Sequence, residues 1–311
     1  MMIDFRDFAD EWKKMPDSSE NAYLSLNIEH PLRFQVGYYS NGHKSLAVMD
    51  VDGSVPSGIP SSYAIAATVR PLLNGEKTLE FQLTHNSFEE IFLRLCWDMI
   101  DCSAEAENPL KAFIDRYLSW QKLLQQTGNS ILSKSAQKGL IGELFYLQDM
   151  IRTHGTEIAI KSWVGPNGGD QDFIFDDTWT EIKTTSAASD AVTISSLEQL
   201  DQAVPGTLTV FKIEETAPGD NRITLTKKAN EIREELNGDP LNLDRFEIKL
   251  LMYGYKKSDE EQYDKVQFRF ASRTDYEVDE KFPRLTRENV PHEITKCSYT
   301  FSLAALEPFR R

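Results

Sequence analysis

Asp172, Glu181 and Lys183 fall within one short stretch, Trp163-Val-Gly-Pro-Asn-Gly-Gly-Asp-Gln-Asp-Phe-Ile-Phe-Asp-Asp-Thr-Trp-Thr-Glu-Ile-Lys-Thr-Thr185. Two acids can share a hard divalent cation, and a lysine beside them can stabilise developing negative charge. The stretch reads as two strands, 172–175 and 178–183, joined by a two-residue turn at Asp176-Asp177. Position 175 then pairs with 178, and residues whose numbers add to 353 face each other. Asp172 lies opposite Glu181, about 4.5–5.5 Å away at Cβ, and Lys183 shares their face. Lys183 itself stands opposite Asp170. Directly opposed acids destabilise a hairpin, so this pair needs a compensating cation: Lys183, or a metal such as Mg²⁺ or Mn²⁺. The other face carries Phe173, Phe175 and Ile182, which supply a core side.

A third acid comes from the helix before the hairpin. At 100° per residue, Leu144, Leu147 and Ile151 lie within about 40° of Leu140, and Glu143 lies about 60° to one side. Glu143 therefore sits on the apolar arc, where an unpaired carboxylate is costly. Gly139 and Gly142 beside it would let the helix approach another element closely.

Asp172, Glu181-Ile-Lys183 and the upstream Glu143 together resemble the PD-(D/E)XK nuclease core. The fuller string adds Trp163-Val-Gly-Pro166, Gln171-Asp-Phe173, Thr184-Thr185 and Ile194-Ser-Ser-Leu-Glu-Gln-Leu200. It resembles a bacterial branch of that superfamily associated with restriction-modification-like defence loci, over roughly 133–215. The literal Pro-Asp pair is absent: Gln171 precedes Asp172, and Asp170 stands as a rival acid. The resemblance implies an α/β (α+β) fold, a restriction-endonuclease-like mixed central sheet flanked by helices. It implies a Mg²⁺-dependent endonuclease acting on DNA in restriction-modification or phage defence, with Mn²⁺ able to substitute. Glu143, Asp172, Glu181 and the Ile182 carbonyl are the implied metal ligands. Lys183 is the implied partner of the attacking water. Gln199 on a following helix is a candidate for positioning substrate, and Thr184 and Thr185 for contacting phosphate. Implied partners are DNA, a methyltransferase or other defence-system subunits, and a second copy of the chain.

Stepping outward, the elements that must hold this site occupy the second of two expected domains, 1–105 and 106–311. The first reads as a leading helix and an antiparallel β module, with hairpin signals at Asn41-Gly42 and Asn74-Gly75 around a Gly/Pro/Ser loop at 52–60. Helices are expected at 88–100, 109–126, 133–153, 195–203 and 226–236. Strands are expected at 172–175, 179–184, 207–214, 246–255 and 265–272. The last thirty residues carry no clear signal.

Composition narrows the alternatives. The 311 residues carry 34 Lys plus Arg against 49 Asp plus Glu, a net charge of −15. Such a chain should not coat DNA indiscriminately, because non-specific binding rests on basic residues neutralising phosphates. Lys227-Lys228, Lys256-Lys257, Lys281, Arg284 and Arg287 are candidate local contacts, though charged residues like these ordinarily serve as solvated surface. Three cysteines build neither a disulfide framework nor a four-cysteine zinc site. The five histidines form no HExxH, and there is no GxSxG or P-loop. No apolar run reaches membrane-spanning length, and the acid-containing N-terminus reads as no targeting signal, so a cytoplasmic location is expected. Two rival readings remain: a non-catalytic subunit that keeps the nuclease fold, and an acidic protein that mimics DNA. RNA remains open as a substrate.

Overall fold

The chain divides into two compact units, 1–129 and 130–311. The structure, a computed structural model, describes residues 3–15, 22–39, 42–51, 58–62, 64–71, 77–126, 131–167, 169–219 and 222–311. The expected hairpin turn at Asn74-Gly75 lies outside the described residues, as do Asn41 and most of the loop 52–60.

In the first unit, α1 (Phe5–Asp10) precedes strands β1 (Tyr23–Ser25), β2 (Arg33–Tyr38), β3 (Lys44–Val51), β4 (Ile65–Pro71) and β5 (Lys77–Leu83). They form an antiparallel sheet in the order β1-β2-β3-β5-β4. Helices α2 (Glu89–Ser103) and α3 (Pro109–Gln126) follow. The expected boundary after residue 105 falls inside this unit. The reason is packing: Phe113 of α3 packs tilted on Phe34 and edge-to-face on Phe81 of the sheet, and Tyr117 edge-to-face on Phe81. Asp98 of α2 receives Arg116 and the Trp120 indole of α3, which locks the two helices together.

The second unit opens with α4 (Lys134–His154), capped by the Ser133 hydroxyl on the Ala136 amide, and α5 (Thr156–Ser162). Then come β6 (Phe173–Ile174), β7 (Trp179–Thr185), β8 (Ala191–Ile194), β9 (Gly206–Thr216), α6 (Leu225–Glu235), α7 (Pro240–Tyr253), α8 (Glu260–Tyr263), β10 (Gln267–Val278) and β11 (Tyr299–Ser302). A four-stranded sheet runs β10-β9-β7-β6, with β7 and β9 parallel and the outer pairs antiparallel. It is the mixed α/β arrangement expected. Strand alternation splits the core in two. Phe173, Ile182, Phe211 and Ile213 face α4, α5, α6 and α7, while Trp179, Leu208 and Val210 face the β8–β11 pair, Leu200, Tyr276 and Phe282. Gly142 lets α4 lie directly on β7, since a Cβ there would collide with the Thr184 methyl.

Two expected elements differ. Residues 246–255 are mostly α7, a helix rather than a strand. Phe246, Ile248, Leu250 and Met252 alternate with Glu247 and Lys249 as a strand would, but Lys249 is itself buried. The decisive signals are at the ends: Asp239 caps the Asn242 amide, Pro240 opens the first turn, and Gly254 closes in the left-handed region (φ +98°). Residues 195–203 form no regular helix. Leu197 and Leu200 are buried, but the segment's backbone carbonyls are claimed by side chains from elsewhere. Within the last thirty residues, Tyr299–Ser302 pairs with β8, and a 3₁₀ stretch, Leu303–Phe309, follows.

Candidate active site

The hairpin has the register derived from sequence. Phe173 pairs with Thr180 and Ile174 with Trp179, and the Phe175 amide donates to the Thr178 carbonyl at 2.8 Å. Asp172 therefore precedes β6 at the position facing Glu181. Its Oδ2 accepts the Ile182 amide at 2.7 Å, and its carbonyl accepts the amides of Val164 (2.8 Å) and Gly165 (3.0 Å). The acid is thus tied on one side to β7 and on the other to the turn after α5.

Glu143 is buried on α4 and accepts two donors. The Trp163 indole N–H reaches Oε2 at 2.8 Å, and the Tyr253 hydroxyl of α7 reaches Oε1 at 2.9 Å. Lys249, one turn before Tyr253, donates to the carbonyls of Ile160 (2.5 Å) and Trp163. One face of α7 thereby fixes both the Trp163 turn and the glutamate. Gly165 brings the acids together: a Cβ there would lie 2.8 Å from Asp172 Oδ1 and 3.3 Å from Glu143 Oε2.

Lys183 points to the same side. Its Nζ donates to Glu181 Oε1 at 2.5 Å and to Gln199 Oε1 at 3.1 Å. Glu181 is 1% exposed, and its Oε2 is buried without a hydrogen-bond partner. Such an orphaned carboxylate oxygen is costly unless something neutralises it.

The electrostatics follow from this crowding. Burial pushes the Glu143 carboxyl well above the usual range, and the Asp172 charge adds to it. Burial and then Asp172 do the same to Glu181, against the pull of Lys183. Asp172 is raised to about 6 by burial, partly offset by the Ile182 amide and Lys183. Tyr253 is held protonated by burial and by Glu143, so it remains a donor.

Among the described residues, no three acid, His or Cys side chains already stand as a metal-binding cluster. The carboxylates are turned to internal partners instead. Their chemistry does fit a hard cation: three carboxylates with oxygen donors only, one orphaned buried oxygen at Glu181, and the close approach of Asp172 and Glu143 to the bare Cα of Gly165. Ile182 sits between Glu181 and Lys183 in β7.

Other expected residues fall differently. Thr184 turns its methyl to Gly142 of α4, on the face away from Lys183, because strand residues alternate. It packs a helix rather than contacting phosphate. Thr185 shares the Lys183 face and is half-buried, its hydroxyl 3.5 Å from the Ala191 carbonyl. Gln199 lies on an irregular segment and holds Lys183. The rival Asp170 is exposed. Arg284 donates to the carbonyls of Leu200 (2.5 Å) and Gln202 (3.2 Å), and Arg287 to Glu198 (2.9 Å), so both guanidinium groups are engaged within the fold. Lys228 is buried against Gln148 and Glu231, and Lys257 pairs with Glu247. Residues that sequence reasoning did not single out are Trp163, Gly165, Gln171, Lys249 and Tyr253. The first three stood in the quoted string without a role. The last two were hidden by reading α7 as a strand.

The family model DUF4420, described as "Putative PD-(D/E)XK family member", matches residues 8–304. The chain belongs to this family. The match runs nearly the whole length, far past the motif-bearing stretch, and so takes in the N-terminal β unit as well. No curated protein and no solved structure matches the chain significantly. No helix among the described residues is long and apolar enough to cross a membrane.

Proposed function

We propose that this PD-(D/E)XK protein is a Mg²⁺-dependent endonuclease hydrolysing DNA phosphodiester bonds, with Mn²⁺ able to substitute, in restriction-modification or phage defence. The observation that carries the reading is the orphaned Oε2 of buried Glu181, a carboxyl that feels the charges of Asp172 and Glu143 and holds Lys183 on its other oxygen. A structural hairpin gains nothing from burying three mutually repelling carboxylates. A hydrolytic site gains a cation-binding centre.

Glu143, Asp172, Glu181 and the Ile182 carbonyl would hold one or two ions. A divalent cation held there would polarise the scissile phosphate and make a water more acidic. Lys183 supplies a cationic donor on the same face, placed to orient that water and stabilise charge developing on the phosphoryl oxygens. Gln199 keeps the lysine on that line. Thr185 is the remaining threonine able to meet the phosphate backbone. The partner is DNA, engaged locally rather than over a broad basic surface, since the chain carries −15 net charge. Cutting both strands of a duplex favours two copies of the site, hence a homodimer, alone or with a methyltransferase or other defence subunit.

The test incubates methylated and unmethylated plasmid and phage DNA with the protein in Mg²⁺ or Mn²⁺, beside a Lys183→Ala protein and an EDTA sample. Cutting that requires both metal and Lys183 supports the reading. Metal binding without cutting points to a missing partner or modification. Neither binding nor cutting overturns it in favour of the non-catalytic subunit.

A further inference from the structure

Gln171 immediately precedes Asp172 and is 2% exposed. Its amide N–H₂ donates to the carbonyls of Glu198 (2.6 Å) and Gln199 (3.3 Å), and its Oε1 accepts the Gln202 amide at 3.1 Å. A buried side-chain amide satisfied on both ends is an expensive, specific contact. What it grips is the irregular segment 198–202, which Arg284 also holds through the carbonyls of Leu200 and Gln202, while the Arg287 amide and guanidinium donate to the carboxylates of Asp201 and Glu198. This segment carries Gln199, whose Oε1 accepts both the Ser195 amide (2.8 Å) and Lys183 Nζ (3.1 Å). With no helix to fix Gln199, its position depends on these side-chain-to-backbone bonds.

We propose that Gln171 is a positioning residue for Lys183: by clamping the 198–202 backbone to the strand of Asp172, it sets where Gln199 holds the lysine amine. The chain of contacts runs from acid strand to segment to lysine, so both ends of the catalytic set take their register from one side chain. The inference rests on the nuclease reading for its catalytic consequence, but its geometric content does not.

The test measures competitive amine acylation by peptide mass spectrometry, comparing Lys183 with the exposed Lys111 in the other unit. Gln171→Met keeps the side-chain size and removes all three bonds. Gln171→Glu keeps the acceptor toward Gln202 but places an oxygen against two carbonyls. Both variants should acylate Lys183 at least about fivefold faster than the parent, with Lys111 unchanged. Gln199→Met should do the same, and Gln171→Met/Gln199→Met should add nothing further, because the two act in series. Unchanged Lys183 labelling in both Gln171 variants, alongside an increase in Gln199→Met, overturns the proposal, as does additivity in the double variant. Where DNA is cut, Gln171→Met should lower kcat about tenfold with Mn²⁺ affinity preserved. An equal loss of Mn²⁺ affinity would place its action on Asp172 instead and overturn it. A parent protein that cuts no DNA removes the nuclease reading, while the labelling result still decides the clamp.

Discussion

Asp172 Oδ2 accepts the amide of Ile182 at 2.7 Å, which fastens the first acid to the residue lying between the second acid and the lysine. The other oxygen, Oδ1, faces the bare Cα of Gly165, as does Glu143 Oε2. One backbone contact thus orients the carboxylate, and the absence of a side chain at Gly165 permits the close approach of both acids.

That close approach is testable with Gly165→Ala. The added Cβ would meet Asp172 Oδ1 at 2.8 Å, its Cα at 3.3 Å and Glu143 Oε2 at 3.3 Å. The backbone atom cannot swing aside, so overpacking should cost about 1–3 kcal/mol. Titration calorimetry should show Mn²⁺ affinity down about tenfold or more. An unchanged affinity would mean the cation does not sit against Asp172 and Glu143.

The raised carboxyls predict an unusual pH profile. A group whose folded pKa lies above its unfolded value stabilises the fold fully below the unfolded pKa, and that contribution is lost as pH rises through the folded one. For Asp172 the loss spans 3.8 to about 6. Glu143 and Glu181, raised for the same reason, extend it upward. Tm without metal should therefore gain from this site on going from pH 8 to 5.5. Mn²⁺ should raise Tm more at pH 8 than at pH 5.5, since ligands must be deprotonated. Asp172→Asn/Glu181→Gln should abolish the Mn²⁺ effect and weaken the metal-free trend to the part Glu143 supplies. A metal-independent Tm would break the link between these acids and a cation.

Much of this site was legible because a hairpin is a local object. The two-residue turn and the alternation fix the register, so Asp172 opposite Glu181 follows from numbering, and Phe173–Thr180 pairing agrees with it. Glu143 on an apolar arc was equally readable from helical spacing. What stayed hidden depends on distant chain. Gln199 looked like a helix residue because Leu197 and Leu200 are spaced for one, yet Gln171, Arg284 and Arg287 hold the segment open. Tyr253 and Lys249 were lost to an alternating pattern, and only the Asp239-Pro240 start and the Gly254 stop distinguished the helix.

Lys183 has two roles that one substitution series separates. Lys183→Ala should lower cleavage about 10²–10³-fold, the usual cost of removing a charge-stabilising donor. Mn²⁺ affinity should hold or rise, because Glu181 loses a competing cation at 2.5 Å. Lys183→Arg should bind metal yet remain slow, since a planar guanidinium cannot reproduce a point ammonium between Glu181 and Gln199. Cleavage rates beside Mn²⁺ titrations check this. Equal loss of cutting and binding would make the lysine a structural partner of Glu181.

Tyr253→Phe probes the glutamate from the far side. The hydroxyl donates to Glu143 Oε1 at 2.9 Å and favours its charged form, working against burial and Asp172. Removing it should push the Glu143 carboxyl further up and leave it more protonated at pH 7. Stability should change by only about 1 kcal/mol, the net worth of one hydrogen bond. Mn²⁺ affinity at pH 7 should fall several-fold, and the gap to the parent should narrow on going to pH 9, since rising pH favours the ionised carboxyl in both proteins. Calorimetric titrations at both pH values measure this. A pH-independent deficit would mean that Tyr253 acts by shaping α7 rather than by keeping Glu143 charged.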